Sequence, residues 1–360
     1  MTHTHIPVEQ FEVQKNFTIS PSYIDLATDI YRTLKWYYAP DMWHDYKFPQ
    51  SFTDEFTRHF YFPLQDVYYI IYVAIFLTVA QFILQRIICK PLVNWLELTP
   101  ENKKKFPESA WKFASATSAW VYCAYLLYYR YDYYEKPHLI WDDWSSGMKI
   151  PSDIKLMYLG RCGHAIHSVY AIFFVESKRK DFYAICIHHI LTITLLIISY
   201  AMRYHKIGLL VLFVHDIGDV WLELTKLLHY MSTRDGGRKR PLFEHAASGG
   251  FVIFTLCWFV FRLYLYPLKV LYSTGVVFPQ QTYHKGCILY GFFNSLLWIL
   301  FGLNVYWVCF LLQFLYKLCT GALSGLTDTR EYESNENNNK KDHYVRTSSI
   351  WVAELRISQF

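Results

Sequence analysis

Asp181–Leu228 reads DFYAICIHHILTITLLIISYAMRYHKIGLLVLFVHDIGDVWLELTKLL. It holds two apolar runs, each long enough to enter a bilayer, yet they carry His188, His189, His215, Asp216, Asp219 and Glu223. An ionisable side chain at the bilayer centre costs roughly 2.5–3.5 kcal/mol on insertion scales, so such residues normally line a cavity and carry function. Six of them in adjacent segments describe a polar site held inside a membrane.

The rest of the 360 residues agrees. The chain is 53% hydrophobic and 19% aromatic, with 31 Tyr, 27 Phe and 12 Trp, as expected where rings with polar tips collect at bilayer interfaces. Its mean hydropathy is only +0.09, because Tyr and charged loops dilute the apolar stretches. This composition argues for a polytopic membrane protein and against a soluble enzyme. The net charge of +5 says little by itself, and no nucleic-acid partner is expected. The eight Cys fall mostly in or beside apolar runs without a CxxC pair, so they read as reduced packing residues, and no metal site is indicated.

Seven segments have the ~20 apolar residues a spanning helix needs. They are 67–88, 111–129, 156–175, 183–201, 207–228, 250–272 and 288–316. The expected fold is therefore all-α, a membrane bundle of about seven transmembrane helices. Residues 1–66 read as a lumenal segment, 67–104 as the first span with its cytosolic loop, 105–321 as the main six-helix domain, and 322–360 as a disordered cytosolic tail. No apolar h-region opens the chain, so the first span is expected to act as targeting signal. The basic clusters Lys103–Lys105, Lys178–Lys180 and Arg238–Arg240 fall in loops on one side, which the positive-inside rule makes cytosolic. The N-terminus is then lumenal and the C-terminus cytosolic. Asn16-Phe17-Thr18 becomes a glycosylation sequon on the appropriate side.

Residues three and four apart share a helix face. Asp216, Asp219 and Glu223 therefore form one acidic stripe with His215 at its edge. Adjacent His188 and His189 project about 100° apart, so one is expected to react while the other orients or contacts substrate. Arg161, His164 and Ser168 share a face on the preceding segment, with His167 close by. Bundled together, the three helices make a buried polar chamber. A carboxylate beside an imidazole suits a general base or nucleophile. The chain has no GxSxG elbow and no phosphate-cradling P-loop, so histidine is the expected agent of acid–base or acyl-carrying chemistry, on a lipid that enters laterally.

The paired His188-His189, followed by His215-Asp216-x-x-Asp219 and LELTKL, resembles the Lag1p motif of the ceramide synthases, within the TLC-domain superfamily. Lys178-Arg-Lys-Asp-Phe182, Phe261-Arg-Leu-Tyr264, Pro267-Leu-Lys-Val-Leu271 and Phe293-Asn294 are similar to the family too, and the likeness runs from about Lys105 to Gly321. HDIGDVWLELTKL, FRLYLYPLKVLY and TDTREYE resemble the ceramide synthase 1 branch, which lacks a homeobox-like insert where this chain has the short loop Cys89–Ala110 and which favours stearoyl-CoA. The resemblance implies N-acylation of a sphingoid base by fatty acyl-CoA to give ceramide or dihydroceramide, in the endoplasmic reticulum membrane. Acyl-CoA is then a co-substrate, no cofactor is needed, and membrane lipids and a homo- or hetero-dimer are the partners it allows.

The family's histidines map onto His188 and His189, and its aspartates onto Asp216 and Asp219. Asp219 is expected to orient His188, with His189 and Asp216 shaping the chamber. Arg161, His164, His167, His215, Glu223, Arg262 and Asn294 are expected as lower-ranked substrate contacts. The basic clusters at the mouth are candidates for attracting CoA phosphates. Two other functions fit parts of the pattern. A membrane di-iron hydroxylase or desaturase would use His164-x-x-His167 and His188-His189, but no HxxHH box exists and the acidic stripe stays unexplained. A non-enzymatic TLC lipid transporter or sensor would gain nothing from the retained histidines and aspartates.

Overall fold

The computed structural model of the protein describes residues 21–37, 52–174, 182–282 and 289–320. Asn16, Lys178–Lys180 and the tail from residue 322 lie outside the described residues. The helices, numbered along the chain, are α1 (Tyr23–Tyr37), α2 (Phe52–His59), α3 (Leu64–Trp95), α4 (Pro100–Tyr125), α5 (Ser152–Phe174), α6 (Phe182–Ala201), α7 (His205–Met231), α8 (Pro241–Thr282) and α9 (Leu289–Cys319). Among the described residues no strand forms, and only two isolated bridges pair backbone, Leu98 with Arg234 and Thr233 with Lys239. The architecture is all-α.

Within the described residues all seven apolar segments lie in helices, but they differ in kind. Leu64–Trp95, Pro241–Thr282 and Tyr290–Gln313 are long and apolar enough to cross a membrane, with mean hydropathies of 2.2, 1.8 and 2.0. Cys186–Ala201 is a shorter apolar helix. In α3 only 17% of the apolar window is buried, leaving Ile75, Phe76, Val79 and Phe82 facing outward. So large an outward apolar face is suited to hydrocarbon rather than water. α4, α5 and α7 are more polar: on α5 and α7 polar side chains such as His167, Asp216 and Glu223 turn inward, whereas α4 leaves Glu101, Lys104 and Ser118 exposed. α7 sits at the centre, and Lys206, Asp216, Glu223 and Lys226 are buried among its apolar residues.

Proline shapes two of the long helices. It has no N–H to give and its ring crowds the carbonyl one turn back, so the ladder must widen or break. α3 passes through a π-helical turn at Leu84–Cys89, just ahead of Pro91. α8 is π-helical over Trp258–Leu271, around Pro267. The expected loop Cys89–Ala110 is mostly helix instead. Only Leu96–Thr99 separates α3 from α4, because Thr99 caps α4 by accepting from the Asn102 N–H (3.4 Å) and Pro100 fills the first helical position.

The two ends of the bundle are built differently. At one end the α3–α4 turn is stapled to the α7–α8 connection, where Arg240 donates to the Leu96 carbonyl (2.7 Å) and Asn102 to the Tyr230 carbonyl (3.0 Å). Arg240 is thus engaged in holding the fold. At the other end α6 and α7 join through Met202–Tyr204, with Arg203 in the left-handed region (φ 64°). That end is covered by Trp141 and Trp144. Both are buried against Tyr204 and Phe278, with Trp141 Nε1 donating to Ser273 Oγ (2.8 Å) and Trp144 Nε1 to the Met202 carbonyl (3.2 Å). α1 runs along α8, where Tyr23 donates to the Leu263 carbonyl (2.5 Å) and Tyr272 to Asp29 (3.1 Å).

Candidate active site

The polar stripes of α5, α6 and α7 converge on one cavity of about 220 Å³, which α3, α4 and α9 also wall. Arg161, His164 and His167 enter from α5, His188 and His189 from α6, and His215, Asp216, Asp219 and Glu223 from α7. The hairpin of α6 and α7 is what brings the histidine pair beside the aspartates. The residues of the opening quotation thus line a single space.

Each carboxylate in this wall has a cation. Arg161 Nη2 donates to Asp216 Oδ1 at 2.7 Å, Arg262 Nη2 to Asp219 Oδ1 at 3.3 Å, and Lys226 Nζ to Glu223 Oε1 at 2.5 Å. Removing one partner of a buried pair strands the other charge and typically costs 3–5 kcal/mol. Arg262 does more than neutralise. The same Nη2 donates to the His215 carbonyl (3.0 Å), Nη1 lies 3.5 Å from Asn304 Oδ1, and the guanidinium stacks 4.3 Å from the Trp258 ring. Asp219 was expected to orient His188, but its bonded partner is Arg262.

Hydroxyl groups sort the histidines. The Thr192 hydroxyl donates to the His188 carbonyl (2.9 Å), so its oxygen is left to accept from His188 Nε2–H (3.2 Å). That assignment, made from the hydrogen-bond geometry, leaves the lone pair of His188 on Nδ1. His215 is held at both nitrogens. Nδ1–H donates to the Val211 carbonyl (2.9 Å) and Nε2 accepts from Asn304 Nδ2 (3.3 Å). His215 is therefore a fixed, neutral wall residue. Thr78 repeats the pattern, donating to Ala74 (2.9 Å) and accepting from His167 Nδ1 (3.0 Å). His164 Nδ1 lies 3.4 Å from Ser168 Oγ, and the His188 and His189 rings are 5.6 Å apart at a steep angle.

Two expected residues lie elsewhere. Asn294 does not line the chamber, because it accepts from the Thr274 hydroxyl (3.0 Å) between α9 and α8. Arg262 is not part of the cavity lining and contacts the site through Asp219 and the His215 carbonyl. Thr192 and Asn304 are hydrogen-bond partners of His188 and His215 that sequence reasoning missed. Thr192 sits one turn after His188, which was a legible signal. Asn304 had none. Among the described residues no three His, Cys, Asp or Glu side chains are grouped as a metal ion would require.

The TLC domain family model matches residues 105–313, more than half of the chain. The chain belongs to the TLC-domain family. Within the family it is 42% identical over 248 residues to ceramide synthase 1 of Homo sapiens, covering 69% of this chain and 70% of the relative. It is 40% identical over 250 residues to ceramide synthase 1 of Mus musculus, covering 69% and 71%, and 31% identical over 269 residues to ceramide synthase 1 LOH3 of Arabidopsis thaliana, covering 68% and 83%. All nine chamber residues named from α5, α6 and α7 fall inside the TLC domain.

Proposed function

We propose that this TLC-domain chamber is the active site of a ceramide synthase, transferring a fatty acyl group from acyl-CoA to the amine of sphinganine or sphingosine. The supporting observation is that His188, His189, Asp216 and Asp219 line one cavity in a chain 42% identical to ceramide synthase 1 of Homo sapiens. The same relatives leave no reason to keep the di-iron oxygenase or carrier readings.

His188 is the reacting residue. Its Nδ1 lone pair either attacks the thioester carbonyl, forming an acyl-imidazole and expelling CoA as the thiolate, or takes the proton from the amine as it attacks that carbonyl and the C–S bond breaks to release CoA as the thiolate. In the first route the amine then displaces the imidazole, the C–N bond of the amide forms, and the amine proton leaves through the regenerated ring. Thr192 fixes the tautomer in both routes. Asp219 and Arg262 set a charge pair beside the reaction, and Asp216 with Arg161 sets another. His189 shapes the space for the head of the base. The thioester is already activated, so no metal or cofactor takes part.

The seven helices cross the endoplasmic reticulum membrane, with a lumenal, Asn16-glycosylated N-terminus and a cytosolic C-terminus. The α7–α8 end then faces the cytosol, where acyl-CoA arrives. Acyl transfer by purified protein to sphinganine tests the reading directly. Activity in wild type that is lost in His188→Ala and Asp219→Ala, with both variants folded, is the expected result. Wild type that transfers nothing to any base overturns it. Labelled acyl retained on His188→Ala would sink the acyl-histidine route.

A further inference from the structure

We infer that the closed end of the chamber is a length gauge for the fatty acyl group, with Tyr158 and Phe293 as its stop. The inference rests on the acyltransferase reading above and names what that site measures.

The cavity is drawn out along the bundle. On α7 its lining runs from Asp219 back to Gly208, and on α6 from His188 forward to Ser199. Each stretch is twelve residues, eleven steps that rise about 16 Å along the helix. The helices are antiparallel, so both measurements run from the reactive group toward the same end. Polar side chains gather at the start of that path. Leu195, Leu196 and Leu297 line its far part, a surface suited to a saturated chain and to little else.

At the end of the path stands a floor. Tyr158 is fully buried, and its hydroxyl occupies the space a side chain at position 208 would need. The hydroxyl lies 3.1 Å from Ser199 Oγ, so its place is fixed. Phe293 closes the remaining side, with its ring 5.0 Å from that of Tyr204. Behind them lies the aromatic cover of Trp141 and Trp144. Interiors packed in this way do not yield to an extra methylene.

Both lipid substrates have long chains, and the acyl chain is the one assigned to this end. It is attached to the carbonyl that reacts beside His188, and in either route it must stay in place while CoA is exchanged for the base. A dead end suits the group that stays seated while its partner is exchanged, whereas the base has to reach the carbonyl from the open side.

Mixed saturated acyl-CoAs, differing by two carbons and offered with a fixed base, test the gauge by mass spectrometry of the products. Tyr158→Ala and Phe293→Ala deepen the floor. They are expected to raise the ratio of products longer than the wild-type preference to shorter ones by about tenfold or more, the discrimination a pocket commonly gains from one or two methylenes. Gly208→Ala, which drives the Tyr158 hydroxyl into the cavity, is expected to move the ratio the other way. Phe293→Leu is a milder deepening variant and decides the case if the alanine variants do not fold. An unchanged ratio in the folded deepening variants overturns the gauge, as does a shift in base-length preference instead. Wild type with no transfer from any acyl-CoA would remove the underlying reading rather than the gauge.

Discussion

Single atoms divide the labour among the chamber histidines. Thr192 has one hydroxyl proton and spends it on the His188 carbonyl, which turns His188 Nε2 into a donor and Nδ1 into the basic nitrogen. Thr192→Val is therefore expected to lower kcat about fivefold, for a hydrogen bond of about 1 kcal/mol, with Thr192→Ser near wild type. Steady-state transfer rates at saturating substrate check this. Arg262 makes a sharper case, because its fork touches Asp219, the His215 carbonyl and Asn304 together. A lysine keeps the charge and loses the fork. Arg262→Lys should cost roughly 100-fold in kcat, the scale of an ångström-sized misplacement, with a smaller change in KM for acyl-CoA. Equal losses in both constants would argue against a positioning role. These pairings mark the limit of what residue spacing reveals. Periodicity places Asp216, Asp219 and Glu223 on one face, yet it is silent on which arginine from another helix meets which carboxylate. Asn294 and Asn304 lie on the same helix, and only the rotation of α9 against α8 decides that Asn304 reaches His215.

Helices are placed here by small contacts and by proline. Gly163 lets α5 approach α3 so closely that an added Cβ would sit 2.6 Å from Val73 Cγ1. Gly163→Val must push the two helices apart, at a cost of about 1–3 kcal/mol. A lower midpoint of thermal unfolding in detergent is the expected reading, together with reduced turnover, since α5 carries Arg161 and His164. The existence of every helix in the chamber was legible from apolar length. Their unequal character was legible in part: α4, rich in Ser and Thr, and α5, with Arg161, His164 and His167, read as the weaker spans, whereas α7 read as an apolar run carrying a polar stripe. The π-helical course of α8 was hidden, although Pro267 was in plain view. A proline marks where the ladder must change without saying whether it kinks or widens.

At the scale of the whole molecule, α3 turns hydrocarbon-like side chains outward, while charged residues such as Asp216, Glu223 and Arg262 are buried within a largely apolar core. Stability then depends on packing and on the closing aromatic layer. Trp144→Ala should cost about 3–5 kcal/mol, as for other buried large-to-small changes. Cover and floor are continuous, so this variant is also expected to blur acyl-chain selectivity, read from the same product ratios. The α6–α7 hairpin has one more consequence, and it concerns time. Synthesis proceeds from the N-terminus, so Arg161 is already in place when Asp216 emerges, but Arg262 is made forty-three residues after Asp219. During that interval the nascent bundle holds a carboxylate whose counter-charge does not yet exist. The final ion pair of the chamber can close only after α8 has been delivered, and so it records that assembly has reached its last stages.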